Sequence, residues 1–237
     1  MYFVGREKET KQIIRALERG ENMILVGKYG IGRTSLIRHI AEITRDRWSF
    51  VFLDFSQTPG KVCRHLMTRL LPKEKGSRKA MGYRHNRFRI ANLDFEGQRQ
   101  PVLVLDDVGK LSPPKVELIQ YLSMAKRFRF VAVVENFLTA DKLSLLRVWL
   151  YPALLMKVTY LKEQKAREFF RHLSRKYHFC WSDEKINNLA AMSGGYPLGM
   201  KEVMNRKLAR SRSLETPAFP DSSIPEAGGS VSGQKVP

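Results

Sequence analysis

Short apolar runs alternate with helical periodicities along residues 1–160. The first run, at residues 23–26, ends at Gly27 and is followed by Leu36, Ile37 and Ile40 at helical spacing. Four further runs have the length of strands: 50–55, 102–105, 128–135 and 153–160. The periodicity predicts helices around them, at 6–19, 61–71, 113–126 and 139–149. Strands that alternate with helices indicate an α/β fold with a parallel sheet.

The pattern changes after residue 161. Strand-like runs stop there, and three helices are predicted instead, at residues 162–177, 183–192 and 197–211. We therefore expect an α/β domain at 1–161 and a small helical lid domain at 162–212. Residues 213–237 are rich in Pro, Ser and Gly, a composition typical of a disordered tail.

One polar stretch, at residues 72–100, interrupts the first domain. Its cations are Lys73, Lys75, Arg78, Lys79, Arg84, Arg87, Arg89 and Arg99, and its only acidic residues are Glu74, Asp94 and Glu96. Tyr83, His85 and Phe88 lie among them, and such residues can stack on bases while cations bind phosphate. The stretch could equally be a solvated loop.

The whole chain is strongly basic, with a formal net charge of +19 and a pI near 10.2. A charge of this size attracts polyanions, so nucleic acid is the first partner that the composition favours, and we expect it to be double-stranded DNA. Further cations lie in the predicted lid: Lys165, Arg167, Arg171, Arg175, Lys176, Lys201, Arg206, Lys207, Arg210 and Arg212. A solvated basic surface is the alternative.

Other classes of protein find little support in the composition. Cys63 and Cys180 have no partner at metal-ligand spacing, and the five histidines share none either, so neither a disulfide framework nor a zinc site is expected. No segment has the ~18 uncharged apolar residues that a membrane span requires. We expect a cytoplasmic protein with no membrane contact.

The loop after the first strand has the spacing of a Walker A phosphate-binding loop. Its backbone N–H groups can surround phosphates at the start of a helix, while a cation and a hydroxyl complete the site. This pattern predicts that the loop binds ATP with Mg²⁺, Thr34 being the metal-binding hydroxyl. The predicted binding residues are Gly27, Lys28, Gly30, Gly32, Arg33, Thr34 and Ser35.

Arg33 occupies the position where lysine is expected. A planar guanidinium does not reproduce a compact ammonium, so binding could persist while hydrolysis is weakened or lost. Lys28 could supply a substitute ammonium, within the chain or to a neighbouring subunit. It could equally be a solvated lysine.

Two carboxylates end the apolar run at 102–105. We interpret Asp106 as a Mg²⁺ ligand and Asp107 as the group that polarises the attacking water, as in a Walker B motif. The alternative is that they only cap the next helix.

The order of these motifs resembles the AAA+ and STAND group of ATPases, which includes archaeal-type ATPases, ORC-like initiators and transposition regulators. Phe3-Val4-Gly5-Arg6-Glu7-Lys8-Glu9 looks like their F-x-G-R-x-x-E motif, and Ser193-Gly194-Gly195-Tyr196-Pro197-Leu198 resembles their G-G-x-P-L lid motif. The resemblance spans about residues 1–210. Arg33 departs from it, as does Asp107, where AAA+ proteins usually carry Glu.

The resemblance also implies roles for five residues. Val4 and Arg6 would line an adenine pocket, and Pro197 would lie near the base. Asn136 would be the polar sensor of the γ-phosphate, and Arg147 would be an arginine that contacts this phosphate in its own or an adjacent subunit. A surface position on an amphipathic helix is an equal interpretation of Arg147.

Together, the residues and the resemblance predict an AAA+-like P-loop fold with a lid. The function implied is that of an oligomeric, DNA-associated ATP switch in replication, recombination or transposition. One alternative is a degenerate pseudo-ATPase that binds nucleotide without turnover. Another is a STAND-type signalling or defence ATPase with a separate protein partner. The sequence does not decide whether ATP is hydrolysed.

Overall fold

The computed structural model describes residues 3–71, 82–95 and 99–214. The described strands are β1 (Asn22–Gly27), β2 (Trp48–Asp54), β3 (Gln100–Val108), β4 (Arg129–Glu135) and β5 (Ala153–Lys157). The described helices are α1 (Glu7–Glu18), α2 (Arg33–Ile43), α3 (Pro59–Leu70), α4 (Tyr83–Ala91), α5 (Pro113–Met124), α6 (Ala140–Trp149), α7 (Glu163–Lys176), α8 (Asp183–Ser193) and α9 (Pro197–Leu214).

The five strands form one sheet in the order β2-β3-β4-β1-β5, and every neighbouring pair is parallel. The predicted parallel α/β fold is therefore confirmed. Because the strands are parallel, all their carboxyl ends lie at one edge of the sheet, where α/β proteins bind ligands. In the register of this edge, Gly27 of β1 pairs with Glu135 of β4, and Asp54 of β2 pairs with Asp106 of β3.

Both faces of the sheet are covered. Leu103 and Leu105 of β3 pack into a core with α3, α5 and α6, whereas Val102 and Val104 point to a second core with α1 and α2. Successive side chains of a strand point to opposite faces, so a strand buried on both sides needs an unbroken apolar run. This requirement explains the composition of residues 102–105.

The predicted helices and strands lie within a few residues of the observed ones, with one exception. Residues 83–91, which lack a helical pattern in the sequence, form α4, whose Ile90 is fully buried. Three arginines hide the periodicity of this helix. The other basic residues assigned to the stretch, Lys73, Lys75, Arg78 and Lys79, lie outside the described residues, and so does 215–237 of the predicted tail.

The chain forms two compact units, residues 1–201 and residues 202–237. Within the first unit, α7 and α8 pack against each other. Phe170 and Leu173 of α7 and Ile186 and Leu189 of α8 are buried. The domain boundaries predicted at residues 161 and 212 remain predictions.

Candidate nucleotide site

The P-loop lies at the carboxyl end of β1 and leads directly into α2. Gly30 and Gly32 have φ angles of +73° and +89°, a conformation that strongly favours glycine. At Gly27 the limit is space, because a β-carbon there would lie 2.8 Å from the carbonyl oxygen of Val158. The glycines thus allow a tight loop in front of a helix N-terminus, the geometry that proteins use to bind phosphate.

Arg33, the first residue of α2, points under the loop towards β4. Its Nη2 atom donates to Oε1 of Glu135 at 2.5 Å, and its Nη1 atom donates to the carbonyl oxygen of Val134. The side chains of Arg33 and Glu135 are only 5% and 11% exposed. The guanidinium at the Walker A position is therefore bound to the protein itself.

Glu135, which contacts the P-loop arginine, is a residue that the sequence did not single out. It and Asn136 follow one another at the end of β4, and the resemblance favoured Asn136. In the structure Asn136 is exposed, whereas Glu135 contacts the P-loop arginine. The only sign of this contact in the sequence is an acidic residue at the end of a predicted strand, which is a weak indication.

The hydroxyl of Thr34 donates to Oδ1 of Asp106 at 2.8 Å. Both side chains are half-buried, so the two oxygens lie together beside the loop and remain accessible. A hydroxyl and a carboxylate are the ligands that Mg²⁺ uses when phosphates and water complete its shell. The described residues contain no group of three His, Cys, Asp or Glu that could hold a metal ion.

Asp107 differs from Asp106 in exposure and backbone conformation. Its φ is +59°, in the left-handed region, and it lies at an irregularity in the β3–β4 pairing between Leu105 and Val108. Its N–H donates to Oδ1 of Asp106 at 3.2 Å. This turn leaves the carboxylate of Asp107 exposed to solvent, where it is accessible to water.

A third carboxylate, Asp54, ends β2 beside Asp106. The hydroxyl of Ser56 donates to it and is the main cause of a lowered pKa, followed by Gln57, whose side chain donates at 2.9 Å. The carboxylate of Asp54 therefore stays ionised while its hydrogen bonds stabilise the turn after β2.

The N-terminal motif contacts the P-loop through Arg6, which is 5% exposed. Its Nη2 atom donates to the carbonyl oxygen of Thr159 at 2.5 Å and to that of Ile31 at 3.3 Å, and Nη1 donates to Glu9 at 3.0 Å. Arg6 thus ties the loop to the segment after β5. Val4, two positions before Arg6, is half-buried. Its predicted contact with adenine stays a prediction.

The lid motif packs directly on the P-loop. The hydroxyl of Tyr196 donates to the carbonyl oxygen of Tyr29 at 2.9 Å, and the N–H of Leu198 donates to that of Gly30 at 3.2 Å. A β-carbon at Gly32 would lie 4.0 Å from the ring of Pro197. The predicted site residues Gly30, Gly32 and Pro197 are therefore brought together.

The glycine pair of the lid motif makes this contact possible. Gly194 and Gly195 have φ angles of +53° and +71°, and a β-carbon at Gly195 would lie 2.0 Å from the carbonyl oxygen of Leu161. The N–H of Leu161 donates to Gly195 at 2.9 Å. Only glycine allows the chain to pass so close to the start of the lid.

Three further predicted residues, Lys28, Ser35 and Arg147, are exposed. The ammonium of Lys28 donates to the hydroxyl of Tyr160 at 3.1 Å, while Ser35 and Arg147 are exposed on α2 and α6. Their predicted roles stay predictions.

A family model described as an AAA ATPase domain matches residues 2–134. The chain belongs to this AAA ATPase family. The match covers the N-terminal motif, the P-loop, the Asp106-Asp107 pair and most of β4. The predicted relationship to AAA+ P-loop ATPases is confirmed.

Solved structures of AAA+ proteins share the fold. Cdc6p from Pyrobaculum aerophilum matches with a TM-score of 0.65 and 14% identity, over 88% of this chain and 62% of that one. ORC1 from Aeropyrum pernix, solved in complex with DNA, gives 0.64 and 13%, over 89% and 62%. The Thermotoga maritima RuvB Holliday junction branch migration motor gives 0.54 and 16%, over 90% and 65%.

These likenesses confirm the predicted AAA+-like P-loop fold. The AAA ATPase chain spans less than two thirds of the length of each of these structures. No curated protein matches its sequence. None of the helices in the described residues is long and apolar enough to cross a membrane.

Proposed function

We propose that this protein binds ATP with Mg²⁺ and acts as a DNA-associated switch in replication, recombination or transposition. The observation that carries the proposal is the Thr34–Asp106 hydrogen bond of 2.8 Å beside a glycine loop at a helix N-terminus. This arrangement places oxygen ligands for a metal next to backbone donors for phosphate. Membership of the AAA ATPase family supports the same ligand.

Different residues of the site would bind the phosphates, the metal and the attacking water. The loop from Gly27 to Gly32 would bind the phosphates, Thr34 and Asp106 would hold Mg²⁺, and the exposed carboxylate of Asp107 would accept a proton from water. The metal would neutralise charge on the phosphates. Asn136 would orient the γ-phosphate end of the nucleotide.

The position of Arg147 supports an oligomeric protein. It is exposed on α6, so it would contact the nucleotide of an adjacent subunit rather than its own. Assembly would then couple neighbouring sites, and a separate protein partner could take the same place.

The lid would transmit the state of the site. Tyr196 and Leu198 donate hydrogen bonds to carbonyl groups of the P-loop. A rearrangement of the loop around phosphates would therefore shift the start of α9. A contact of this kind lets a ligand shift an equilibrium between two lid positions if it binds one of them more tightly.

DNA is supported by the net charge of +19 and by the outer face of α4. Arg84, His85 and Phe88 are exposed on this helix, Phe88 to 58%. Arg87, by contrast, is mostly buried: it pairs with Glu117 and lies over the ring of Tyr121 at 4.3 Å. A cation and an aromatic ring one helical turn apart would bind a phosphate and an exposed base. A location inside the cell is part of this proposal.

A second function, nucleotide binding without turnover, is favoured by Arg33. Its guanidinium is paired with Glu135, so the cation that normally contacts the β- and γ-phosphates is committed elsewhere. The metal and loop residues would still support binding.

Turnover decides between the two. ATP hydrolysis by the purified protein with Mg²⁺ is measured with and without double-stranded DNA, for the wild type and Asp106→Ala. The switch predicts hydrolysis that DNA stimulates and that Asp106→Ala abolishes. ATP binding without hydrolysis under every condition would establish the pseudo-ATPase, and hydrolysis that Asp106→Ala leaves intact would come from a contaminant.

DNA binding is tested separately. Fluorescence anisotropy of a labelled duplex is followed for the wild type, for Arg84→Ala with Phe88→Ala, and for Arg19→Ala, an exposed arginine paired with Glu21 as a matched control. We expect the double variant to weaken binding by about tenfold and the control to have little effect. Wild-type affinity that does not change with salt would contradict a DNA interface.

A further inference from the structure

The ion pair between Arg33 and Glu135 joins the start of α2 to the end of β4, two elements of the proposed nucleotide site. Arg33 begins the helix that follows the P-loop, and Glu135 ends β4 in register with Gly27, the first residue of the loop. The contact is 2.5 Å long and nearly closed to solvent. It thus lies beside the loop that would hold the phosphates.

The competing partners of Arg33 have the same chemistry. A guanidinium binds both carboxylates and phosphates through charge-assisted hydrogen bonds, so Glu135 competes with a β- or γ-phosphate for Arg33. Both Nη atoms are engaged, one with Glu135 and the other with the carbonyl oxygen of Val134. These two contacts use one N–H of each Nη atom and hold the guanidinium against the end of β4, so we expect it to leave Glu135 in order to reach a phosphate.

We propose that Glu135 is a positioning residue that holds Arg33 away from the phosphates, and that Arg33 exchanges Glu135 for phosphate when ATP binds. The inference rests on the proposed ATP binding. Exchange leaves the carboxylate of Glu135 nearly buried, without its cation and close to an incoming anion. A desolvated charge that loses its partner is strongly unfavourable, so Glu135 lowers the affinity for ATP.

The first test changes the charge of Glu135 and little else. The dissociation constant of ATP with Mg²⁺ is measured by titration calorimetry for the wild type, Glu135→Gln and Glu21→Gln, the last being a control in an exposed arginine pair. Glu135→Gln frees Arg33 and removes the stranded charge, so we expect binding about tenfold tighter or more. A change within twofold would overturn the inference, as would an equal gain in the control.

A second background separates positioning from simple repulsion. Glu135→Gln is repeated in Arg33→Met, where no guanidinium can exchange partners and only the loss of a nearby negative charge remains. If Glu135 acts through Arg33, the gain falls to about threefold or less, because the two residues are coupled. An equal gain in both backgrounds would show that Arg33 is not the intermediary.

The conservative change Glu135→Asp tests whether the negative charge at this position, rather than the shape of the side chain, sets the affinity for ATP. It retains the carboxylate and should keep the weaker affinity of the wild type, although the shorter side chain alters packing. Circular dichroism shows whether each variant is folded. If folded wild type and Glu135→Gln both fail to bind ATP, the proposed function and this inference fall together. If both bind with the same affinity, only the inference falls.

Discussion

The metal end and the phosphate end of the P-loop site differ in how their side chains are satisfied. At the metal end, Thr34 and Asp106 share one hydrogen bond and stay half-exposed. At the phosphate end, Arg33 and Glu135 form a nearly buried ion pair. The metal end can accept a ligand without losing a buried contact, whereas the phosphate end must first give one up. Under the proposed exchange of partners, the phosphate end therefore limits the affinity for nucleotide.

The largest effect on stability is expected from Glu135→Ala. Removing one partner of a buried ion pair strands the other, which lowers the free energy of unfolding by about 3–5 kcal/mol. Replacing both partners, Arg33→Met with Glu135→Met, should recover most of this loss. Urea unfolding followed by circular dichroism measures both, and a loss below about 1 kcal/mol in Glu135→Ala would show that the pair behaves like a surface contact.

Gly30→Ala should have the next largest effect. A β-carbon there would lie 2.5 Å from the hydroxyl of Tyr196 and 2.7 Å from Cβ of Leu198, at a φ of +73°. Strain of this kind destabilises by about 1–3 kcal/mol. The control is Gly60→Ala in the first turn of α3, where nothing lies within 4 Å. Equal melting temperatures of the two variants would contradict the close contact between loop and lid.

A smaller effect is expected at the metal end from Thr34→Val. The change keeps the shape of the side chain and removes a half-exposed hydrogen bond, so the free energy of unfolding falls by about 0.5–1.5 kcal/mol. The contrast with Glu135→Ala is the point of the measurement. In addition, Mg²⁺ should no longer strengthen ATP binding in this variant, and retained strengthening would remove Thr34 from the metal site.

Lys28→Met should have the smallest effect. The ammonium of Lys28 binds Tyr160 at 3.1 Å in an exposed position, so its loss should change stability by no more than about 0.5 kcal/mol. ATP affinity should stay within about twofold of the wild type. A loss of tenfold or more would show that Lys28 supplies the missing ammonium to the phosphates.

The sequence predicts most of the fold because the sheet is buried on both faces. Runs such as 102–105 are unbroken, and the glycine spacing of the P-loop is local. Helix α4 was missed because Arg84, Arg87 and Arg89 obscure its single buried position, Ile90. A charged side chain that packs inward, as Arg87 does on Tyr121, looks the same in sequence as one that points to solvent.

The site was predictable where its contacts are set by backbone conformation, and unpredictable where they depend on distant side chains. The pairing of Thr34 with Asp106 follows from two motifs with known positions. The direction of Arg33 depends on Glu135, which is 102 positions away along the chain. Likewise, Lys28 finds Tyr160 across 132 positions. No local pattern distinguishes a phosphate-binding cation from one already paired.

The most direct test of the account is the binding of ATP with Mg²⁺ by titration calorimetry, for wild type, Asp106→Ala and the exposed control Asp46→Ala. The account predicts binding that requires Mg²⁺, that Asp106→Ala weakens by about tenfold or more, and that Asp46→Ala leaves unchanged. Folded protein that binds no ATP, or that binds it equally with and without the carboxylate of Asp106, would contradict a nucleotide site at this loop.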